Sequence, residues 1–269
     1  MLILALLLAT MTADGQATAA FPILEAERID GDRPHVGTGT HVVLPGQVQI
    51  ESGVQWQRLA PVWTISSPTL ARIGLTDRLE LRVASDGFLT RDDGSASAHG
   101  VGNLQLGTKI RLCGDRDEPW LSVMPTVSLG LASRGKQLGS GETDATATLL
   151  AGRAVGDRLH LEGNYGIGSI GDPAERFAQH LVTAAIVHQT TQSLASYVEA
   201  AWWSRQERGG GAVSFIDYGL IVALSPRILI DGGAFFGMTA ATPEYGAFTG
   251  ISFAVGPAAR PSHRERRRF

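Results

Sequence analysis

The chain has 269 residues, a formal net charge of −3, 33 glycines and one cysteine, and 43% of it is apolar. So small a charge excludes the basic surface that nucleic acid requires, and no nucleic-acid partner is expected. A single cysteine excludes an intramolecular disulfide, and no His/Cys spacing fits a metal, so no metal or cofactor is expected either and Cys113 reads as a small apolar residue.

The N-terminal run Leu2 to Ala9 is too short to span a bilayer as a helix, and Ala17-Thr18-Ala19 follows it as a small-residue cleavage site. Residues 1–19 therefore read as a secretory signal peptide, with the mature chain starting near Ala20. No Lys or Arg precedes the run, which leaves a start further upstream as an alternative. Residues 20–46 are polar and aperiodic, with Asp30-Gly31-Asp32-Arg33-Pro34 in their middle, and are expected as an irregular segment on the periplasmic side.

Next comes the stretch that sets the pattern. From Arg72 to Val83 two strands meet at a tight turn at Thr76-Asp77, after which Leu79, Leu81 and Val83 alternate with Arg78, Glu80 and Arg82. A period of two gives each face of a strand its own residue type. The unit recurs at Val155 to Glu162 and at Leu224 to Asp231. In sum the sequence predicts twelve strands, at about 47–57, 62–75, 78–88, 101–113, 119–132, 143–155, 158–168, 178–188, 193–204, 213–224, 227–238 and 245–256. Pro125, which cannot donate to a ladder, predicts a bulge or a locally open pairing in the fifth.

Short turns fall near residues 76, 115, 156, 190 and 225, with longer polar loops between them. Alternating short and long connections, with no stretch approaching eighteen consecutive apolar residues, predict an all-β fold. It is an antiparallel up-and-down transmembrane β-barrel of about 12 strands over 47–256, in a Gram-negative outer membrane, with a soluble β-sandwich as the alternative. Trp202, Trp203, Phe235, Phe236, Tyr245 and Phe248 lie near strand ends beside the longer loops and are expected to form an interfacial girdle.

The phrase from Arg72 to Arg82, followed by Gly102-Asn103-Leu104-Gln105-Leu106-Gly107-Thr108-Lys109, resembles an outer-membrane β-barrel family of transporters assigned to the phenol-degradation meta-pathway. The resemblance covers about residues 47–256 and implies a barrel with a transport role; it carries no catalytic or binding motif onto this chain. Its implied partners are outer-membrane lipid, the barrel-assembly machinery and a small solute. Phe253 in the last strand and Phe269 at the end of the basic tail (residues 257–269, with Arg260 to Arg268) are the two candidates for the terminal aromatic that the assembly machinery reads. The tail itself reads as a solvated segment or a contact with anionic lipid.

Charges on a lipid face are costly, so the strand charges are expected to point into the lumen. The candidates are Arg72, Glu80, Arg82, Lys109, Arg111, Arg158, His160, Glu162, Glu199, Asp217, Arg227 and Asp231. They serve either as a packing network or as a path that selects solutes by charge. Among enzymes, the alternative is an outer-membrane hydrolase with a Ser/His pair, for which His160, His180 and His188 are the strand histidines; no Gly-x-Ser-x-Gly elbow occurs, and no catalytic residue is expected. The reading is a channel for passive uptake of small solutes, aromatic ones among them. Its alternative is a structural or plugged barrel.

Overall fold

The computed structural model describes residues 28–257, so the expected signal peptide and nearly all of the basic tail lie outside the described residues. Fifteen strand segments follow one another: β1 (Val48–Leu59), β2 (Val62–Ser66), β3 (Thr69–Thr76), β4 (Leu79–Ser85), β5 (Phe88–Asp92), β6 (Ser97–Val101), β7 (Leu104–Gly114), β8 (Pro119–Leu129), β9 (Asp144–Val155), β10 (Leu159–Ile170), β11 (Phe177–Gln189), β12 (Leu194–Trp203), β13 (Val213–Ser225), β14 (Ile228–Gly237) and β15 (Tyr245–Val255). All pairings are antiparallel, and β15 closes on β1 from Val48↔Val255 to Arg58↔Tyr245. Three pairs of segments (β2 with β3, β4 with β5, β6 with β7) are single staves interrupted in the middle, so the closed barrel has 12 staves. Closure leaves no sheet edge along the seam, which is what a bilayer demands of strands.

The interruptions at 67–68, 86–87 and 102–103 lie side by side. They are bridged by the bonds Ser67 N–H to Phe88 O (3.1 Å), Gly102 N–H to Gly87 O (2.7 Å) and Asp86 N–H to Asn103 O (3.1 Å). Beyond them β6 pairs with β5 alone, while β8 pairs only with β7 and β9. The side of β6 is instead met by the loop 130–143, through Lys136 Nζ to His99 O at 2.9 Å. The alternation does not reveal these breaks, because a two-residue interruption leaves the period on either side intact. His99, on β6, is a strand histidine in addition to His160, His180 and His188.

Opposite Pro125 the ladder between β7 and β8 does skip its pairs, passing from Gly107↔Thr126 to Ile110↔Val123. The facing follows the alternation. On β12, Val198 is 48% exposed and its neighbour Glu199 is fully buried. Exposed Ile186, Val198, Tyr218 and Leu220 sit together on the outer wall of β11 to β13. Such a belt is normal against lipid and would be a liability in water. Among the described residues no helix is long and apolar enough to cross a membrane; the crossing is made by strands.

Three of the six expected girdle aromatics face the other way. Trp202, Phe236 and Tyr245 are outward, but Trp203, Phe235 and Phe248 are inward, since Phe235 lies directly opposite Asp217 and Phe248 opposite Gly233. The outer girdle at the loop end is completed instead by Trp56 and Trp63, with ring centroids 5.5 Å apart and both in contact with Tyr245. Depth within the belt sets the cost of a charge. Val198→Lys, near mid-stave, is expected to cost about 2–4 kcal/mol and Val155→Lys, at the turn end, about 0–1 kcal/mol, measured by denaturant unfolding in vesicles.

Candidate functional site

Residues 28–46 are not strand, and they do not stay below the barrel. They enter the lumen at the end that carries both termini, run up to the middle and return to β1. At entry, Ile29 N–H donates to Pro226 O at 2.8 Å. At the apex, the N–H groups of Val36 and Gly37 both donate to the Glu199 carboxylate at 2.7 Å. Thr38 exchanges two bonds with the Asn164 amide, at 2.7 and 3.1 Å. On the way back, Ser122 donates to Thr40 O at 2.7 Å and Val43 N–H donates to Glu80 at 2.9 Å. Buried backbone has to find partners, and here the wall side chains supply them in place of a ladder. Gly37 is required at the apex: a Cβ there would sit 2.5 Å from Glu199 Oε1 and 2.9 Å from Thr183 Oγ1.

The wall that holds this segment is electrically two-sided. On the arc from β1 to β7 stand Arg72, Arg82, Lys109 and Arg111, with Glu51 and Glu80 among them. Arg72 grips Glu80 in a fork, at 2.9 and 3.0 Å, and reaches Glu51 at 3.2 Å. Into this arc the segment inserts Asp32. Lys109 Nζ lies 3.0 Å from both of its oxygens, Arg72 lies 3.3 Å away, and Arg82 also donates to it. On the arc from β10 to β14 stand Glu162, Glu199, Asp217 and Asp231. Here the segment presents bases. Arg33 binds Asp231 through Nε at 3.3 Å and Nη2 at 3.1 Å, and His35 lies 3.6 Å from Glu162 and edge-on to Tyr197.

Of the twelve residues expected to point inward, Arg72, Glu80, Arg82, Lys109, Arg111, Glu199, Asp217 and Asp231 are buried inside the barrel, and His160 and Glu162 are partly so. Arg158 and Arg227 are not on a strand face at all: both fall in turns at the terminus end, since β10 begins at Leu159 and β14 at Ile228. Missed altogether were the residues that meet the wall, Asp32, Arg33 and His35. An aperiodic polar stretch has no facing to read, but its order of charges, acid then bases, was there to be matched. Of the weighed histidines, His180 and His188 lie on the outer face, where His180 bonds the Tyr165 hydroxyl at 2.9 Å. Above the acidic arc, Trp203, Phe215 and Phe235 form an inward ladder of rings at 5.6 and 5.2 Å.

A closed barrel with an apolar belt outside and a charged interior is an outer-membrane-type barrel. The sequence profile described as "Putative MetA-pathway of phenol degradation" matches residues 31–255, and the chain belongs to that family. In fold it is similar to the COG4313 outer membrane channel from Pseudomonas putida F1, with a TM-score of 0.60 and 12% identity over 80% of this chain and 98% of that one. The NanC porin (TM-score 0.53, 10% identity, 77% and 98% covered) and the KdgM porin (0.52, 10%, 77% and 99%) share the architecture. No curated protein sequence matches the chain.

The charges on the inserted segment are strongly perturbed. Burial alone would favour the neutral Asp32 carboxyl, but Arg72, Lys109 and Arg82 together hold it far below the usual carboxylate range. Burial likewise works against a charged His35, yet Glu162 and Glu199 outweigh it and raise its pKa above the ordinary 6.5. His41 is raised in the same way, against its own burial, by its bond to Asp30. A raised histidine steadies the docked segment fully below pH 6.5 and loses that contribution as pH climbs through the raised value. Asp32 contributes throughout that window and fails only in strong acid. Undocking is therefore expected to grow as pH rises above 6.5, read as channel conductance in a planar bilayer, with His35→Gln flattening the rise.

Proposed function

We propose that this protein is an outer-membrane channel for passive uptake of small solutes, aromatic ones among them, and that residues 28–46 keep it shut until they move. The observation that carries this reading is how the interior charges are paired. A structural barrel of this width would neutralise its wall by wall-to-wall contacts alone. Here Arg72, Glu80 and Glu51 do so, but Lys109 and Asp231 find their hydrogen-bonded ion-pair partners on the inserted segment. Withdrawal of one short segment would clear a polar path without breaking a single ladder bond of the barrel. Twelve strands enclose more room than the roughly eight that side chains fill completely, and less than an open porin of roughly sixteen to eighteen. The inward rings of Trp203, Phe215 and Phe235 give an aromatic solute a wall to lean on. Membership of a family named for phenol degradation supports the same class.

A permanently plugged barrel is the second reading, favoured by the depth at which Asp32 is held among three cations. Single-channel recording of the refolded mature chain separates the two. Gly37→Val pushes a side chain into Glu199 and Thr183, an overpacking expected to weaken docking by about 1–3 kcal/mol. Stepwise conductance whose open probability rises roughly tenfold or more in this variant supports the channel. A folded, heat-modifiable barrel that stays silent in both forms establishes the plug.

A further inference from the structure

The inserted segment occupies two sites that the wall has built for opposite charges, and they are neighbours. Asp32 places a carboxylate among Arg72, Arg82 and Lys109, with Lys109 Nζ at 3.0 Å from each oxygen. The next residue, Arg33, places a cation on Asp231, whose side chain is 2% exposed. Room for that guanidinium is made by Gly53 and Gly250, at either of which a Cβ would stand 2.5 Å from it. Asp32 and Arg33 are adjacent in the chain and their heads diverge to opposite arcs of the barrel. Between them Glu51 takes both backbone N–H groups, at 3.2 and 2.9 Å. Once the segment leaves, Lys109 and Asp231 lose their ion-pair partners, while Arg72 and Arg82 keep Glu80 and Glu51 and still have donors for another carboxylate.

We propose that the segment is a built-in stand-in for the solute, and that the vacated wall binds a small zwitterion: a carboxylate on the Arg72, Arg82 and Lys109 side and an ammonium or guanidinium on Asp231. This rests on the channel reading for its route but not for its binding. A purely anionic solute would fill the first site and leave Asp231 buried without its cation, which is the costly outcome for a buried charge. A purely cationic one would leave Lys109 without its carboxylate partner, with only Glu51 and Glu80 to offset three cations. Only a molecule with both groups replaces what Asp32 and Arg33 supply. Binding and plugging are then mutually exclusive, so the solute's apparent affinity is reduced by the fraction of time that the segment is docked.

The test uses the full mature chain refolded in detergent, titrated calorimetrically at pH 7 with 6-aminohexanoate and shorter ω-amino acids, and in parallel with hexanoate and hexylammonium. A zwitterion is expected to bind at least tenfold more tightly than either single-charge probe. Asp32→Asn, which weakens the internal competitor, is expected to raise zwitterion affinity by about tenfold, and Asp231→Asn to abolish the advantage over hexanoate. Should Asp231→Asn fail to refold, the Asp32→Asn arm decides alone. Equal binding of hexanoate and 6-aminohexanoate by Asp32→Asn would reduce the site to a simple carboxylate receptor and overturn the proposal, as would no binding by either form. Conductance measured on the same preparations keeps the two readings apart. Binding without current removes the channel while the zwitterion site stands, and current without zwitterion preference does the reverse.

Discussion

A charge at mid-depth on the outer wall of a membrane barrel is costly, so the charges at that level turn inward, while the outward Arg58 and Arg153 sit near stave ends, and the interior charges must then be neutralised. The rest of this molecule answers that constraint. Arg72, fully sequestered, is met by Glu80, Glu51 and Asp32 together. Two of those partners come from neighbouring strands and one from a segment that is no part of the barrel. Had all three come from the wall, the interior would be a finished core. Because the third is brought in from outside, the core is complete only while a particular stretch of chain is in place.

The alternation of side chains made the barrel legible before any coordinates. Each expected strand coincides with an observed stave to within a few residues, because a face that meets lipid tolerates no slip in period. The same parity held information that was not drawn from it. Phe235 is four residues from Asp231 and Trp203 four from Glu199, so each shares a face with an inward charge and cannot belong to the outer girdle. Position near a loop does not override parity.

Residues 28–46 were illegible for a different reason. A segment without period has no face, and its bonds run to carboxylates and amides scattered over the whole barrel, at separations such as 163 residues for Val36 and Glu199. Such contacts depend on closure having already brought those strands around it. The two turn arginines illustrate the limit on a smaller scale. Arg158 and Arg227 carry the right charge in the right neighbourhood, but a turn one residue longer takes a side chain out of the alternating register altogether.

The side-by-side interruptions of three adjacent staves also bear on how the wall carries load. A closed barrel is a stack of hoops, each a full circle of ladder bonds, and a complete hoop distributes any outward push evenly around its circumference. Above the breaks at 67–68, 86–87 and 102–103 the circle does not close through ladder bonds, because β6 has no strand on its far side. There the ring is completed by a loop lying against the edge, pinned by single side-chain contacts such as Lys136 to His99. In the lower rings, which surround the inserted segment, every stave has a paired neighbour on both sides, apart from the skipped pairs opposite Pro125. The upper one is a split ring, and pressure from within at that level would spread it at one known place.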